Sequence, residues 1–243
     1  MPTEVAPGVH RLGNEMVNFY LVEADGGLTL VDAGLPAFYE QLEAFLRSRG
    51  RSVADIDALL LTHAHGDHVG IAGKVRDEGV PVRIHELDAE QARTAKNHPR
   101  EGGMPRYFRY GATWRLLAMG MRNGGYKVIK LPDVEPFGEG ELDVPGRPRV
   151  IHTPGHSPGH AVFHFAEQGA LIAGDALCTW NPLTGRPGPQ IMPGAFSFSN
   201  DQAMASLERI EGIEAGALLV GHGDPWTAGV GAAVARAREA GPS

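Results

Sequence analysis

Residues 62–68, Thr-His-Ala-His-Gly-Asp-His, set three imidazoles and a carboxylate within six positions, directly after the expected buried strand 57–61. No other feature constrains the fold as strongly. Such donors suit zinc and other borderline first-row metals, but so short a segment can fill only part of a coordination sphere. The chain must therefore bring further ligands to it from a distance. His156, Asp175 and His222 are the candidates, each directly preceded by a glycine at the end of a mostly apolar run. Glycine there permits sharp turning and close backbone approach, and loops held by strand ends are where rigid scaffolds place reactive groups.

The rest of the chain reads as two β-rich parts with helices. Runs 9–12, 18–22 and 28–31 predict a meander broken by Gly13-Asn14 and 25–27. Pro36 followed by Phe38, Leu42, Phe45 and Leu46 predicts a helix. Residues 56–61 predict a strand covered on both faces, 67–78 a helix and 81–85 a strand. Residues 86–126 differ: Leu87, Ala89, Ala92 and Ala95 suggest one helix, and Tyr107, Trp114, Leu117 and Met121 a second. The apolar face of that second helix is expected to pack in the core. The sharper alternative makes 86–126 a helical insert, or lid, lining a substrate pocket. Strands follow at 141–144, 149–152, 161–165 and 170–173, then a Pro/Gly-rich loop at 181–194, a helix at 201–210, a strand at 217–220 and a helix at 228–240. No linker or low-complexity tract divides residues 1–243, so a single domain is expected.

Composition narrows the partners. A net charge of −7 gives no long-range attraction for nucleic acid, though it leaves room for a local basic patch. No apolar run approaches the roughly 18–20 residues that span a bilayer, and the first eight residues do not read as a secretory signal. The lone Cys178 excludes an internal disulfide and fits a reducing compartment. The expectations are a cytoplasmic protein acting on a small molecule, with no nucleic-acid or membrane partner, and with homodimerisation open.

The ordered set His-X-His-X-Asp-His, then His156, Asp175 and His222, resembles the motif of the metallo-β-lactamase superfamily over essentially the whole chain. The resemblance implies an α/β (α+β) fold, an αββα four-layer sandwich of two mixed β-sheets flanked by helices, with a two-metal site at one edge. It implies that His63, His65 and His156 hold one divalent ion, that Asp67, His68 and His222 hold the other, and that Asp175 bridges them. Zinc is the first expectation, with iron or manganese as alternatives. It further implies hydrolysis by hydroxide held between the ions, with Asp67 and Asp175 as catalytic carboxylates. His160, in the turn 154–160 similar to that of glyoxalase II-like members, is expected to orient the site from behind.

Departures from the motif's subfamilies guide the choice of reaction. Zinc β-lactamases do not normally carry a bridging Asp where Asp175 stands. Glyoxalase II carries a helical C-terminal extension, whereas 224–243 alone follow His222 here. Lactonases of homoserine lactones tend to have a Tyr where this chain has Cys178. The expected activity is hydrolysis of a small ester, thioester or lactone. A β-lactam hydrolase and a mononuclear iron dioxygenase are the alternatives. Tyr107, Trp114, Cys178 and Trp180 are expected in the substrate pocket, and Tyr107, Tyr110 or Tyr126 could supply a substrate-orienting hydroxyl.

Overall fold

The apolar runs at 58–61, 170–174 and 217–220 become strands covered on both faces, and their alternation assigns the layers. The structure, a computed structural model, describes residues 2–243. Strands β1 (Thr3–Ala6), β2 (Val9–Gly13), β3 (Asn18–Ala24) and β4 (Gly27–Val31) form an antiparallel meander. Helix α1 (Tyr39–Arg47) leads to β5 (Ala58–Leu61), α2 (Ala72–Asp77) to β6 (Val82–His85), and α3 (Glu86–Thr94) and α4 (Gly111–Arg122) to β7 (Glu135–Phe137). Strands β5, β6 and β7 add in parallel, giving a 7-stranded sheet in sequential order.

The second sheet is built from β8 (Gly140–Glu141), β9 (Arg149–His152), β10 (Ala161–Phe165) and β11 (Ala170–Gly174). A small ribbon of β12 (Cys178–Trp180) and β13 (Pro187–Gln190) follows, then α5 (Asn200–Ser206), α6 (Glu208–Glu211), β14 (Ala217–Val220) and α7 (Val230–Ala240). Strand β14 pairs parallel to β11, so the sheet order is β14-β11-β10-β9-β8.

Along β3, Phe19 and Leu21 join the cluster under α1, α2 and α3, while Tyr20 and Val22 enter the cluster between the sheets. Leu59 and Leu61 point outward and Leu60 inward by the same period-2 rule. In the second sheet Ile172 and Leu219 face the first sheet, whereas Leu171, Leu218 and Val220 lie under α5, α6 and α7. The result is the expected αββα order. Fully burying such a side chain contributes about 1.5–3 kcal/mol, and three buried clusters, one between the sheets and one under each helical layer, hold the four layers together.

At the edge where β3 meets β14, polar bonds also cross between the sheets. Tyr20 Oη donates to Val220 O at 2.7 Å, and Asn18 Nδ2 to the same carbonyl at 2.9 Å.

Several expectations are corrected. The helix expected at 67–78 is α2 alone, because the backbone before it is bonded elsewhere: Gly70 N donates to Gly34 O and Ile71 N to Ala33 O. The strand expected at 141–144 shrinks to Gly140–Glu141, as Val144 N turns back to Leu142 O. The loop at 181–194 contains β13, and the helix at 201–210 is split into α5 and α6. Tyr107 lies in a short 3-10 turn ahead of α4. The outer face of α4 is not core: Trp114, Leu117 and Met121 are all exposed. Its inner side, with Leu116 and Met119, packs against the body.

Candidate metal centre

Strand ends of both sheets converge on one cluster. The loop after β5 supplies His63, His65, Asp67 and His68, the turn between β9 and β10 supplies His156, the end of β11 supplies Asp175 and the end of β14 supplies His222. Ligand atoms within 4.8 Å of one another occur in three groups: His63–His65–His156, His63–His68–Asp175 and Asp67–His68–His222. All seven residues singled out from the sequence are thus gathered.

His156 Nε2 lies 2.8 Å from His65 Nδ1 and 3.1 Å from His63 Nε2. His222 Nε2 is 3.4 Å from Asp67 Oδ2. Asp175 stands between these sets, with Oδ2 3.3 Å from both His156 Nε2 and His222 Nε2, and Oδ1 3.4 Å from His68 Nε2.

The donor set fits divalent metal. Nitrogen ligands at roughly 2.0–2.1 Å from a tetrahedral ion lie about 3.4 Å apart, close to the spacing observed. Imidazole nitrogens facing one another at such distances repel unless a cation or proton lies among them. His68 Nε2 and Asp175 Oδ1 are buried and, although 3.4 Å apart, make no hydrogen bond with each other or with any other described residue, an arrangement that costs free energy unless something binds them.

The other ring nitrogens are held from behind. His63 Nδ1 meets Thr62 Oγ1 at 3.0 Å, His222 Nδ1 donates to Met16 O at 2.6 Å, and Ser197 Oγ approaches His156 Nδ1 at 3.4 Å. His68 Nδ1 lies 2.8 Å from Asp32 Oδ2, and Asp32 also accepts from Thr62 N and Thr62 Oγ1. Sequence reasoning passed over Asp32. It obeys the same rule as the other site residues, a polar side chain directly after an apolar strand, and it adopts a left-handed φ of 61°.

His160 is fully buried; its Nε2 accepts from Asp175 N at 3.1 Å while Nδ1 bonds Thr153 Oγ1 at 2.8 Å. It therefore orients Asp175 through the backbone. Asp88 on α3, also missed, accepts from Ser157 Oγ at 2.5 Å and Gly159 N at 2.7 Å, and so braces the His156 turn.

Burial and neighbouring charges divide the titrating groups. Burial pushes the His63 and His156 imidazoles well below their ordinary value, and His160 down to about 3. Burial lowers His68 too, but Asp32 and Asp175 outweigh it and raise its pKa. Burial raises Asp175, yet His222, His68 and His156 hold it well below the carboxylate range.

This gives a signed expectation for the metal-free protein. His160 is depressed from 6.5, so its contribution to stability is present above that pH and is lost as pH falls towards about 3. Below 6.5 the raised His68 is protonated in both states and adds no slope. His160 alone should cost roughly 3 kcal/mol by about pH 4, or about 10 °C in Tm. Thermal melts of chelator-treated protein read this directly, and a Tm unchanged across that range would contradict it.

A cleft of about 470 Å³ opens onto the cluster. His65, Asp67, His156, Asp175 and His222 form its floor, Arg100 and Lys127 bring positive charge, and Leu117, Met121, Val128, Met192 and Phe196 make apolar walls. The four pocket residues expected from sequence are not among its lining. Tyr107 is buried, its hydroxyl bonded to Ser243 O. Trp114 is turned outward against Phe108. Cys178 is buried on β12 and its thiol is pushed well up by burial, so it is not a reactive thiolate. Trp180 packs against the outer core of the first sheet. Of the three tyrosines considered for orienting substrate, Tyr126 is the one at the cleft.

Comparison with known proteins follows the same lines. The sequence model of the Metallo-beta-lactamase superfamily matches residues 12–222. YflN of Bacillus subtilis (strain 168), named a probable metallo-hydrolase, is 27% identical over 92% of this chain and 87% of its own length. Among solved structures, the metallo-beta-lactamase family protein TTHA1429 from Thermus thermophilus is 30% identical, with a TM-score of 0.67 over 98% of this chain and 79% of that one. TTHA1623, solved in a di-iron-bound form, is 31% identical, with a TM-score of 0.58 over 93% of this chain and 96% of that one.

Proposed function

This chain belongs to the metallo-β-lactamase superfamily, and from that premise we propose that it is a dinuclear metal-dependent hydrolase of a small ester, thioester or lactone. The observation that carries the reading is the position of Asp175, one carboxylate oxygen equidistant from His156 and His222. A carboxylate so placed can serve two ions, one held by His63, His65 and His156 and the other by Asp67, His68 and His222. Zinc suits the nitrogen-rich set, and iron is the alternative that the di-iron form of TTHA1623 brings forward. Bound there, the ions would supply Lewis acidity for the attacked carbonyl and make hydroxide available near neutral pH.

The chain's own groups divide the remaining work. Asp67 is 31% exposed toward the cleft and can take a proton from the attacking water and return it to the leaving oxygen or sulfur. Asp32, Thr62 and the Met16 carbonyl keep the imidazoles in one orientation, so little reorganisation accompanies reaction. The apolar walls favour a substrate with a hydrocarbon portion, and Arg100 can meet a polar or anionic end of it.

Metal quantification on purified protein, joined to a panel of lactones, thioesters, phosphoesters and lactams, tests the proposal. The expected result is two divalent ions per chain and chelator-sensitive hydrolysis of an ester-class substrate. One iron per chain with oxygen consumption and no hydrolysis would overturn it.

A further inference from the structure

Six of the seven large hydrophobic side chains exposed among the described residues fall between positions 108 and 128, and the seventh is Leu87. Trp114, Leu117 and Met121 recur along α4 at the spacing of one helical stripe, with Phe108 packed on Trp114 at its start. The same segment is basic in an acidic chain. Between 105 and 130 it carries Arg106, Arg109, Arg115, Arg122, Lys127 and Lys130 and no Asp or Glu, against a net charge of −7 overall. All six bases are exposed, and among the described residues Arg115 alone of them meets a carboxylate, that of Glu15.

We propose that this face of α4 and the segment after it docks the protein onto an anionic lipid surface. An apolar stripe of Trp and Leu edged by Arg and Lys is the pattern of a helix lying in the plane of a membrane interface. Each basic residue near an acidic leaflet adds attraction. The contact needs no spanning segment, so the expectation of no membrane partner, drawn from the lack of a spanning run, does not bear on it.

Continuity with the cleft favours lipid over the other occupants. Leu117, Met121, Tyr126 and Val128 belong both to the exposed tract and to the mouth above the metal ligands. An apolar molecule could pass from a lipid phase into the cleft without crossing water. A second copy of the chain, paired symmetrically through this face, would set like charges against one another. Nucleic acid would use the charge and the aromatic rings but leave Leu117, Met121 and Val128 without purpose.

The test is co-sedimentation with vesicles of phosphatidylcholine alone and of phosphatidylcholine with about one-third phosphatidylglycerol. The full chain should pellet with the anionic vesicles, stay in solution with neutral ones, and be released by high salt. The combined variant Trp114→Ser, Arg109→Glu and Arg122→Glu lies outside the cleft, and its circular dichroism and melting should match the parent. Its binding to anionic vesicles should fall by at least about a hundredfold.

Failure to pellet with anionic vesicles overturns the proposal, as does equal pelleting by the variant. Retention by polyuridylate or polyglutamate without vesicle binding overturns it in favour of nucleic acid or an acidic protein. A dimer that dissolves in the variant, again without vesicle binding, overturns it in favour of self-association. Vesicle binding is measured without turnover, so its failure is separate from failure of the hydrolase reading.

Discussion

Asp175→Ala should lose turnover by about three orders of magnitude or more, the scale on which removing a preorganised charge-stabilising group is felt, while the protein still folds. The side chain contacts His68, His156 and His222 at 3.3–3.4 Å, so its loss leaves two groups of imidazoles with no anion between them. Metal content should fall along with activity. The backbone N–H of Asp175 bonds His160 and is untouched by the change, so β11 has no reason to unravel. Asp175→Asn separates charge from shape: it keeps the volume and one acceptor, and should bind metal more weakly than the parent while melting near the parent's metal-free Tm. Undiminished metal content and turnover in Asp175→Ala would remove the dinuclear reading.

Gly221→Ala should be nearly as damaging, although it adds one methyl group. A Cβ at this position would stand 2.3 Å from Asp175 Oδ1 and 2.8 Å from His68 Cε1, distances at which something must move. The neighbours able to move are the ligands themselves, because β14 is paired to β11 through its backbone. The expected outcome is a loss of metal affinity of about 10–100-fold or more, the scale typical of disturbing the support of metal ligands, with far-UV dichroism retained. Dialysis against graded chelator, followed by metal analysis, measures it. Parent-like metal retention would show that Asp175 is not held as tightly as its position implies.

The site was legible to the extent that its chemistry is local in sequence. His63, His65, Asp67 and His68 stand together, and His156, Asp175 and His222 each repeat one arrangement of apolar strand, glycine and ligand. Asp32 follows a strand as they do, but its meaning comes from lying beside Thr62 across neighbouring strands, and Asp-Ala-Gly on its own reads as an ordinary turn. Asp88 was invisible for a related reason: a carboxylate in a helix is normally a solvated one, and only the packing of α3 against the 157–159 turn makes it buried.

The fold was readable where strands are covered on both sides and less so where backbone bonds leave the local segment, as at Gly70 and Ile71. Trp114 and Tyr107 mark another boundary. Helical periodicity states that a face is apolar, not what covers it. On α4 Trp114 leans on Phe108 and stays 58% exposed, whereas Tyr107 is enclosed before the helix begins.

The ligands straddle the seam between the two sheets, with His63 to His68 on one side and His156, Asp175 and His222 on the other. Neither sheet can assemble the centre by itself. Substitutions far from the ligands that tilt one sheet against the other, such as loss of the Tyr20 hydroxyl from Val220 O, will therefore present as cofactor defects before they present as unfolding. For this chain a screen for metal loading doubles as a gauge of how well two layers of core fit each other.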